Sequence, residues 1–182
     1  RLDGVTGVQT CALPIYGMYE VSANINNVAI RKVPLTPDFQ LDLPGLENAI
    51  DGQTKMVFLC SPNNPTGNSL NRKDIGILLN NYFGIIVIDE AYINFSSQKS
   101  FIPDLEDYPN LVVLQTLSKA WGLAALRVGM AFASDAIISY MNKVKPPYNI
   151  NQASQDLVLK ALEEVDQVNE MIRFLVQERK RL

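Results

Sequence analysis

Histidine is absent from all 182 residues. That removes the commonest proton shuttle near neutral pH and the commonest zinc ligand together. Acid–base chemistry therefore falls to Lys, Tyr, Asp, Glu or a bound cofactor. Cysteine is nearly absent: Cys11 and Cys60 give neither a disulfide framework nor a metal-binding spacing, and a reducing cytoplasm is the expected setting. No apolar run approaches the roughly 20 residues of a membrane span, and no charged-then-apolar leader opens the sequence. Blocks of like charge are missing too. Sixteen Lys and Arg against 19 Asp and Glu leave a net charge of -3, which argues against nucleic acid or an anionic membrane as partner. There is no internal repeat and no low-complexity tract.

What is present is enough apolar material, 47% of the residues, for one sizeable core. Short apolar runs read as buried strands over residues 28–35, 55–59, 85–88, 111–114 and 128–133. Helices are expected over residues 20–26, 43–50, 72–82, 136–144, 152–163 and 165–182, with Asp42, Asn71 and Asp135 as caps. A short acidic helical segment is expected near 102–107. Strands that are apolar throughout and alternate with helices imply a mostly parallel sheet covered on both faces, a three-layer α/β/α fold. The last helix places Val168, Ile172 and Leu175 or Val176 on one side and charges elsewhere.

The first fifteen residues fit nothing that follows. The run from Val5 to Ile15 matches a widely used sequencing-adapter oligonucleotide translated in frame. Residues 1–15 are therefore expected to be an adapter-derived or assembly scar, outside the fold, and Cys11 to carry no biological meaning. Native-looking sequence starts at Tyr16-Gly17-Met18-Tyr19. The start at Arg1 without methionine, and the end at Leu182 inside a helical pattern, suggest a piece of a longer protein.

Three strands end in polar clusters: Asn63-Asn64-Pro65-Thr66-Gly67 after residue 59, Asp89-Glu90-Ala91-Tyr92 after residue 88, and Ser118-Lys119 after residue 114, with Arg127 eight positions beyond the lysine. In a parallel sheet these share one edge, where ligands of open α/β folds sit. A lysine held there, away from bulk water and near another cation, can serve as an amine nucleophile. An acid that pairs with a ring nitrogen, a lysine that forms a Schiff base and an arginine that grips a phosphate suit a phosphorylated heteroaromatic aldehyde, pyridoxal 5′-phosphate. Each residue also has a plainer use. Lys119 could be a solvated surface charge, Asn64 could serve the turn before Pro65, and Asp89 could cap a helix. Tyr92 could pack in the core, and Ser118 could offer only its backbone N–H. Glu90 points away from Asp89 across the strand and reads as structural. Thr116 reads as strand packing, though its hydroxyl could also reach a phosphate.

Taken in order, Asn64-Pro65-Thr66-Gly67, Asp89-Glu90-Ala91-Tyr92 and Ser118-Lys119 with Arg127 resemble the motif set of the fold-type I aminotransferases of class I and II. Tyr16 to Tyr19, Cys60 to Gly67 and Ser118 to Ala124 are most similar to the histidinol-phosphate aminotransferase branch. The resemblance covers roughly residues 16–182. It implies that Lys119 holds pyridoxal 5′-phosphate and carries the proton during exchange, while Asp89 pairs with the ring nitrogen. Asn64 and Tyr92 would hydrogen-bond the ring hydroxyl, Ser118 and Arg127 would hold the phosphate, and Tyr16 would stack on the ring. Two departures are Trp121, where phenylalanine is also usual, and Ala125, where glycine is usual.

The same resemblance implies an aspartate-aminotransferase-like large domain, incomplete, over residues 16–163, with 164–182 opening a helix towards a small domain. The family's glycine-containing phosphate loop and its N-terminal arm should precede Tyr16, and its carboxylate-binding arginines should follow Leu182. The implied activity is cytoplasmic transamination between L-histidinol phosphate and 2-oxoglutarate, giving L-glutamate, by a homodimer in histidine biosynthesis. The piece by itself is expected to be inactive. Rival readings are another class I or II aminotransferase, a threonine-phosphate decarboxylase, or an aminotransferase-like sensor domain of a transcription regulator, which a DNA-binding domain encoded before Tyr16 would favour. For the scar, the parent nucleotide read is expected to carry the adapter's own codons over residues 5–15; unrelated codons would refute it.

Overall fold

The computed structural model describes residues 8–13, by backbone alone, and residues 17–181. Six strands form one sheet: β1 (Val8–Leu13), β2 (Ala29–Pro34), β3 (Thr54–Cys60), β4 (Ile85–Asp89), β5 (Leu111–Thr116) and β6 (Gly129–Ala133). Their order is β2-β1-β3-β4-β5-β6, and every neighbouring pair is parallel except β5 with β6. The helices are α1 (Met18–Ile25), α2 (Leu43–Ala49), α3 (Arg72–Asn81), α4 (Asp135–Val144), α5 (Gln152–Glu163) and α6 (Val165–Arg179). The mostly parallel α/β architecture is the one the sequence implies. The acidic segment is a short 3-10 helix, Ile102–Glu106.

Helix starts follow from side chains that accept otherwise unpaired N–H groups. Asp42 accepts from the Gly45 N–H at 3.1 Å, with Pro44 in the first turn of α2. Asn71 accepts from the Lys73 N–H at 2.9 Å to open α3, and Asn151 from the Ser154 N–H at 2.9 Å to open α5. The expected cap at Asp135 is corrected: Asp135 is the first helical residue, and Ser134 occupies the cap position. The Ser134 hydroxyl donates instead to the Pro109 carbonyl at 3.0 Å, so it ties the helix start to the turn before β5.

Register explains where the core lies. Val57, Ile86 and Leu111 stand opposite one another on β3, β4 and β5, and so do Leu59, Ile88 and Val113. Partners in register share a face of the sheet, and side chains two apart stay on it. All six are buried, in one cluster with Ile75, Leu78 and Leu79 of α3. The intervening row, Phe58, Val87 and Val112, therefore faces the other side, and the last row on that side is Cys60, Asp89 and Leu114. There the Tyr19 ring of α1 packs on Phe58, with ring centroids 4.6 Å apart. Further along the chain, Tyr140, Val144, Leu159 and Phe174 of the last three helices are exposed apolar side chains.

Val8–Leu13, in the stretch that the sequence reading sets apart from the fold, fills the slot between β2 and β3, paired in parallel on both sides. A slot between two strands is satisfied by backbone N–H and C=O groups, which any non-proline residue supplies. Six consecutive residues without proline suffice, whatever the origin of their codons.

Tyr82 closes α3 and is buried, its hydroxyl donating to the Thr54 carbonyl at 3.1 Å. Burial pushes its phenol up from 10.0 to about 12. The folded state thus favours the neutral phenol, and its contribution is whole below the unfolded value and is lost as pH rises towards about 12. Tyr82→Phe should cost about 1 kcal/mol at pH 7 through the lost hydrogen bond. Denaturant unfolding followed from pH 9 upward should show a shallower alkaline loss for the variant than for the natural chain.

Candidate active site

The carboxyl ends of β3, β4 and β5 open onto one cavity of about 370 Å³. Among the residues around it are Asn64, Asp89, Tyr92, Ser118, Lys119 and Arg127. Six of the seven residues singled out from the sequence therefore meet at one place. The seventh, Tyr16, lies outside the described residues. Met18, Tyr19, Ser22, Cys60, Pro62 and Gln115 also reach this cavity, residues to which the sequence pattern assigns no role.

Asp89 is fixed by the strands on either side. Its carbonyl accepts from the Ser61 N–H at 2.9 Å, and the Glu90 N–H donates to the Leu114 carbonyl at 2.8 Å. The carboxylate then turns into the cavity. Its Oδ1 accepts from the Ala91 N–H at 2.9 Å, and its Oδ2 accepts from the Tyr19 hydroxyl. A carboxylate offers about four lone-pair positions, so it retains capacity for a further donor.

The loop after β3 is braced on itself. The Asn63 N–H donates to the Asn68 carbonyl and the Gly67 N–H to the Asn63 carbonyl, both at 2.8 Å. Gly67 has φ 72°, a left-handed value that glycine adopts without a Cβ penalty. Asn63 is buried and spends its amide on Thr66 Oγ1, leaving Asn64 as the exposed member of the pair. Asn64 Nδ2 donates to the Tyr92 hydroxyl at 3.4 Å, so an amide from the β3 loop and a phenol from the β4 loop form one polar pair.

The loop after β5 carries the cations. The Leu117 N–H donates to the Val128 carbonyl at 3.2 Å and the Leu123 N–H to the Leu117 carbonyl at 3.0 Å, which closes the loop at its base. Thr116 resolves its two readings towards bracing: its hydroxyl donates to the Val128 carbonyl at 3.4 Å and accepts from the Ser118 N–H at 3.1 Å. Lys119 Nζ stands 5.2 Å from the centroid of the Tyr92 ring. Lys119 is exposed in this chain. Arg127 has φ 56° and ψ 39°, left-handed for a residue with a Cβ. Its Nη1 donates to the Ala124 carbonyl at 3.0 Å. A guanidinium carries five N–H donors, so this bond occupies a fraction of its capacity.

Behind the cavity, Glu90 is 1% exposed, in agreement with a structural role. It accepts from Ser100 Oγ at 2.6 Å, the Phe101 N–H at 2.7 Å and Gln115 Nε2 at 2.9 Å. The arrangement as a whole offers a carboxylate, an amide–phenol pair, an amine, a guanidinium and a hydroxyl around a hollow the size of a small-molecule site.

Comparison with known proteins gives this site its context. The aminotransferase class I and II model matches residues 11–182. The chain belongs to the aminotransferase class I and II family. Histidinol-phosphate aminotransferase of Cytophaga hutchinsonii is 54% identical over 166 residues, 91% of this chain and 48% of that protein. The protein of the same name from Parabacteroides distasonis is 52% identical over 179 residues, 98% of this chain and 52% of the relative. The chain thus spans about half the length of the curated relatives it matches. Histidinol-phosphate aminotransferase from Sinorhizobium meliloti, solved in complex with pyridoxal-5′-phosphate, superposes with a TM-score of 0.87. It is 23% identical and covers 97% of this chain and 49% of that one, a likeness that carries the fold.

For this aminotransferase-family chain Glu90 is a buried carboxylate held by three donors. Glu90→Ala leaves three donors facing an apolar gap and should cost about 2–4 kcal/mol, measured by denaturant unfolding. Loss of less than about 1 kcal/mol would mean that the three donors find other partners.

Proposed function

We propose that the protein carrying this chain is a pyridoxal-phosphate-dependent aminotransferase that exchanges an amino group between L-histidinol phosphate and 2-oxoglutarate. The observation that carries the chemistry is the convergence of Asn64, Asp89, Tyr92, Ser118, Lys119 and Arg127 on one cavity. The substrate pair rests on the names of relatives about half identical to this chain. Histidine biosynthesis, a cytoplasmic setting and a homodimer belong to the same reading. Among the described residues no helix is long and apolar enough to cross a membrane, and no group of His, Cys, Asp and Glu could hold a metal.

The donor set fits the cofactor group by group. Asp89 would accept from the ring nitrogen, and its two fixing donors hold the carboxylate ready for it. Asn64 and Tyr92, already hydrogen-bonded to each other, would hold the ring hydroxyl. Arg127 and Ser118, at the two ends of a closed loop, would hold the phosphate, the guanidinium through paired N–H donors. Tyr16 would supply an aromatic face. Pyridoxal 5′-phosphate, when bound, supplies an aldehyde that captures an amino group and a ring that withdraws electrons from it. Lys119 Nζ would anchor the cofactor and, once released, take and return the proton, which explains how a chain with no histidine performs proton transfer. Residues 1–15 are read, within the same proposal, as an adapter-derived scar joined to the enzyme sequence at Tyr16.

Lys119→Ala in the full-length protein should abolish the visible absorbance of bound pyridoxal 5′-phosphate and lower transamination of L-histidinol phosphate by at least about 100-fold. A retained visible band would refute the lysine assignment. An amino-donor screen that finds another amino acid strongly preferred would refute the substrate and leave the cofactor reading standing.

A further inference from the structure

Of the two donors that fix Asp89, Tyr19 is the side-chain one, and among the described residues no other side chain donates to that carboxylate. Its ring packs on Phe58 of β3, and its position on α1 brings the hydroxyl over the end of β4. Tyr19 and Asp89 both line the cavity. The bond spans 70 positions of sequence and links a helix on one face of the sheet to the strand end that bears the acid. On the other oxygen, the Ala91 N–H is a backbone donor and fixes one edge of the carboxylate. Without Tyr19 the carboxylate keeps that single anchor and can turn about its Cβ–Cγ bond.

We infer that Tyr19 is a positioning residue: its hydroxyl fixes the plane of the Asp89 carboxylate so that the remaining lone pairs face the cofactor's ring nitrogen. The inference rests on the cofactor reading above. Asp89 supports electron withdrawal through the ring only while it holds the ring nitrogen protonated. A loosely held carboxylate weakens that hold, and the nitrogen conjugated to the ring on the lysine side becomes more basic. The sign is therefore defined: loss of the Tyr19 hydroxyl moves the pH midpoint of the visible band upward. The other titratable or charged groups around the cavity, Cys60, Tyr92, Lys119 and Arg127, are the same in every variant compared.

The experiment uses the full-length holoenzyme and two variants, Tyr19→Phe and Phe58→Leu. Tyr19→Phe keeps the aromatic contact and removes only the hydroxyl; Phe58→Leu disturbs the packing and keeps the hydroxyl. For Tyr19→Phe the expected results are an upward shift of the visible-band midpoint by roughly half a unit and about tenfold weaker pyridoxal 5′-phosphate affinity. Phe58→Leu should leave the midpoint in place. A Tyr19→Phe midpoint and affinity equal to those of the natural enzyme would overturn the inference while the cofactor reading stands. An equal shift in both variants would also overturn it, because packing rather than the hydrogen bond would then be responsible. If the natural enzyme takes up no pyridoxal 5′-phosphate, the cofactor reading fails and this inference falls with it.

Discussion

The site depends first on two backbone hydrogen bonds at the end of β4. Ser61 N–H to the Asp89 carbonyl and Glu90 N–H to the Leu114 carbonyl carry the sheet one residue past the apolar strands. They bring Cys60, Asp89 and Leu114 into one row across three parallel strands. Parallel pairing alone would put the strand ends on one side. It is the register that makes the acid central, with the amide loop on one flank and the lysine loop on the other. A slip of one residue would send Asp89 to the face of Ile88 and the α3 core, away from the cavity.

Beyond the strand ends, two loops do the positioning in different ways. The loop after β3 is held by its own amides and by a left-handed glycine, so it behaves as a small rigid turn. The loop after β5 is longer and is closed at its base through Leu117, Thr116 and Val128. Arg127 leaves that loop with a left-handed backbone, a conformation that costs a residue with a Cβ of the order of 1 kcal/mol. The lysine and the arginine are thus carried by a segment whose ends are fixed and whose middle is open to solvent.

Most of the architecture was legible because apolar strands and capped helices are local signals. The runs at residues 55–59, 85–88 and 111–114 have the length and composition of buried strands. Asn64, Asp89, Tyr92, Ser118 and Lys119 were legible for a related reason: they follow those strands closely, so one-dimensional order predicts a shared edge. What the sequence hid was non-local. Nothing in Val8–Leu13 marks it as the strand between β2 and β3, since that place is granted by backbone pairing. Nothing in Tyr19 points to Asp89, because their meeting depends on which face of the sheet α1 covers. Ser134 and Asp135 are both good cap residues, so sequence does not separate them; the helix begins at Asp135 and the Ser134 hydroxyl goes to the Pro109 carbonyl.

Asp89 and Glu90 show how two adjacent acids acquire opposite uses. The pleat turns successive side chains to opposite faces. Asp89 enters a cavity where its two fixing donors leave room for one more. Glu90 enters a closed pocket where Ser100, Phe101 and Gln115 supply three donors and 1% of it remains exposed. A carboxylate so fully satisfied has little left to offer a ligand, and its value is to tie the loop around Ser100 to β5. The acid with unspent acceptor capacity, Asp89, is the one proposed to meet the cofactor. Chain position alone does not distinguish the two; the count of donors already present does.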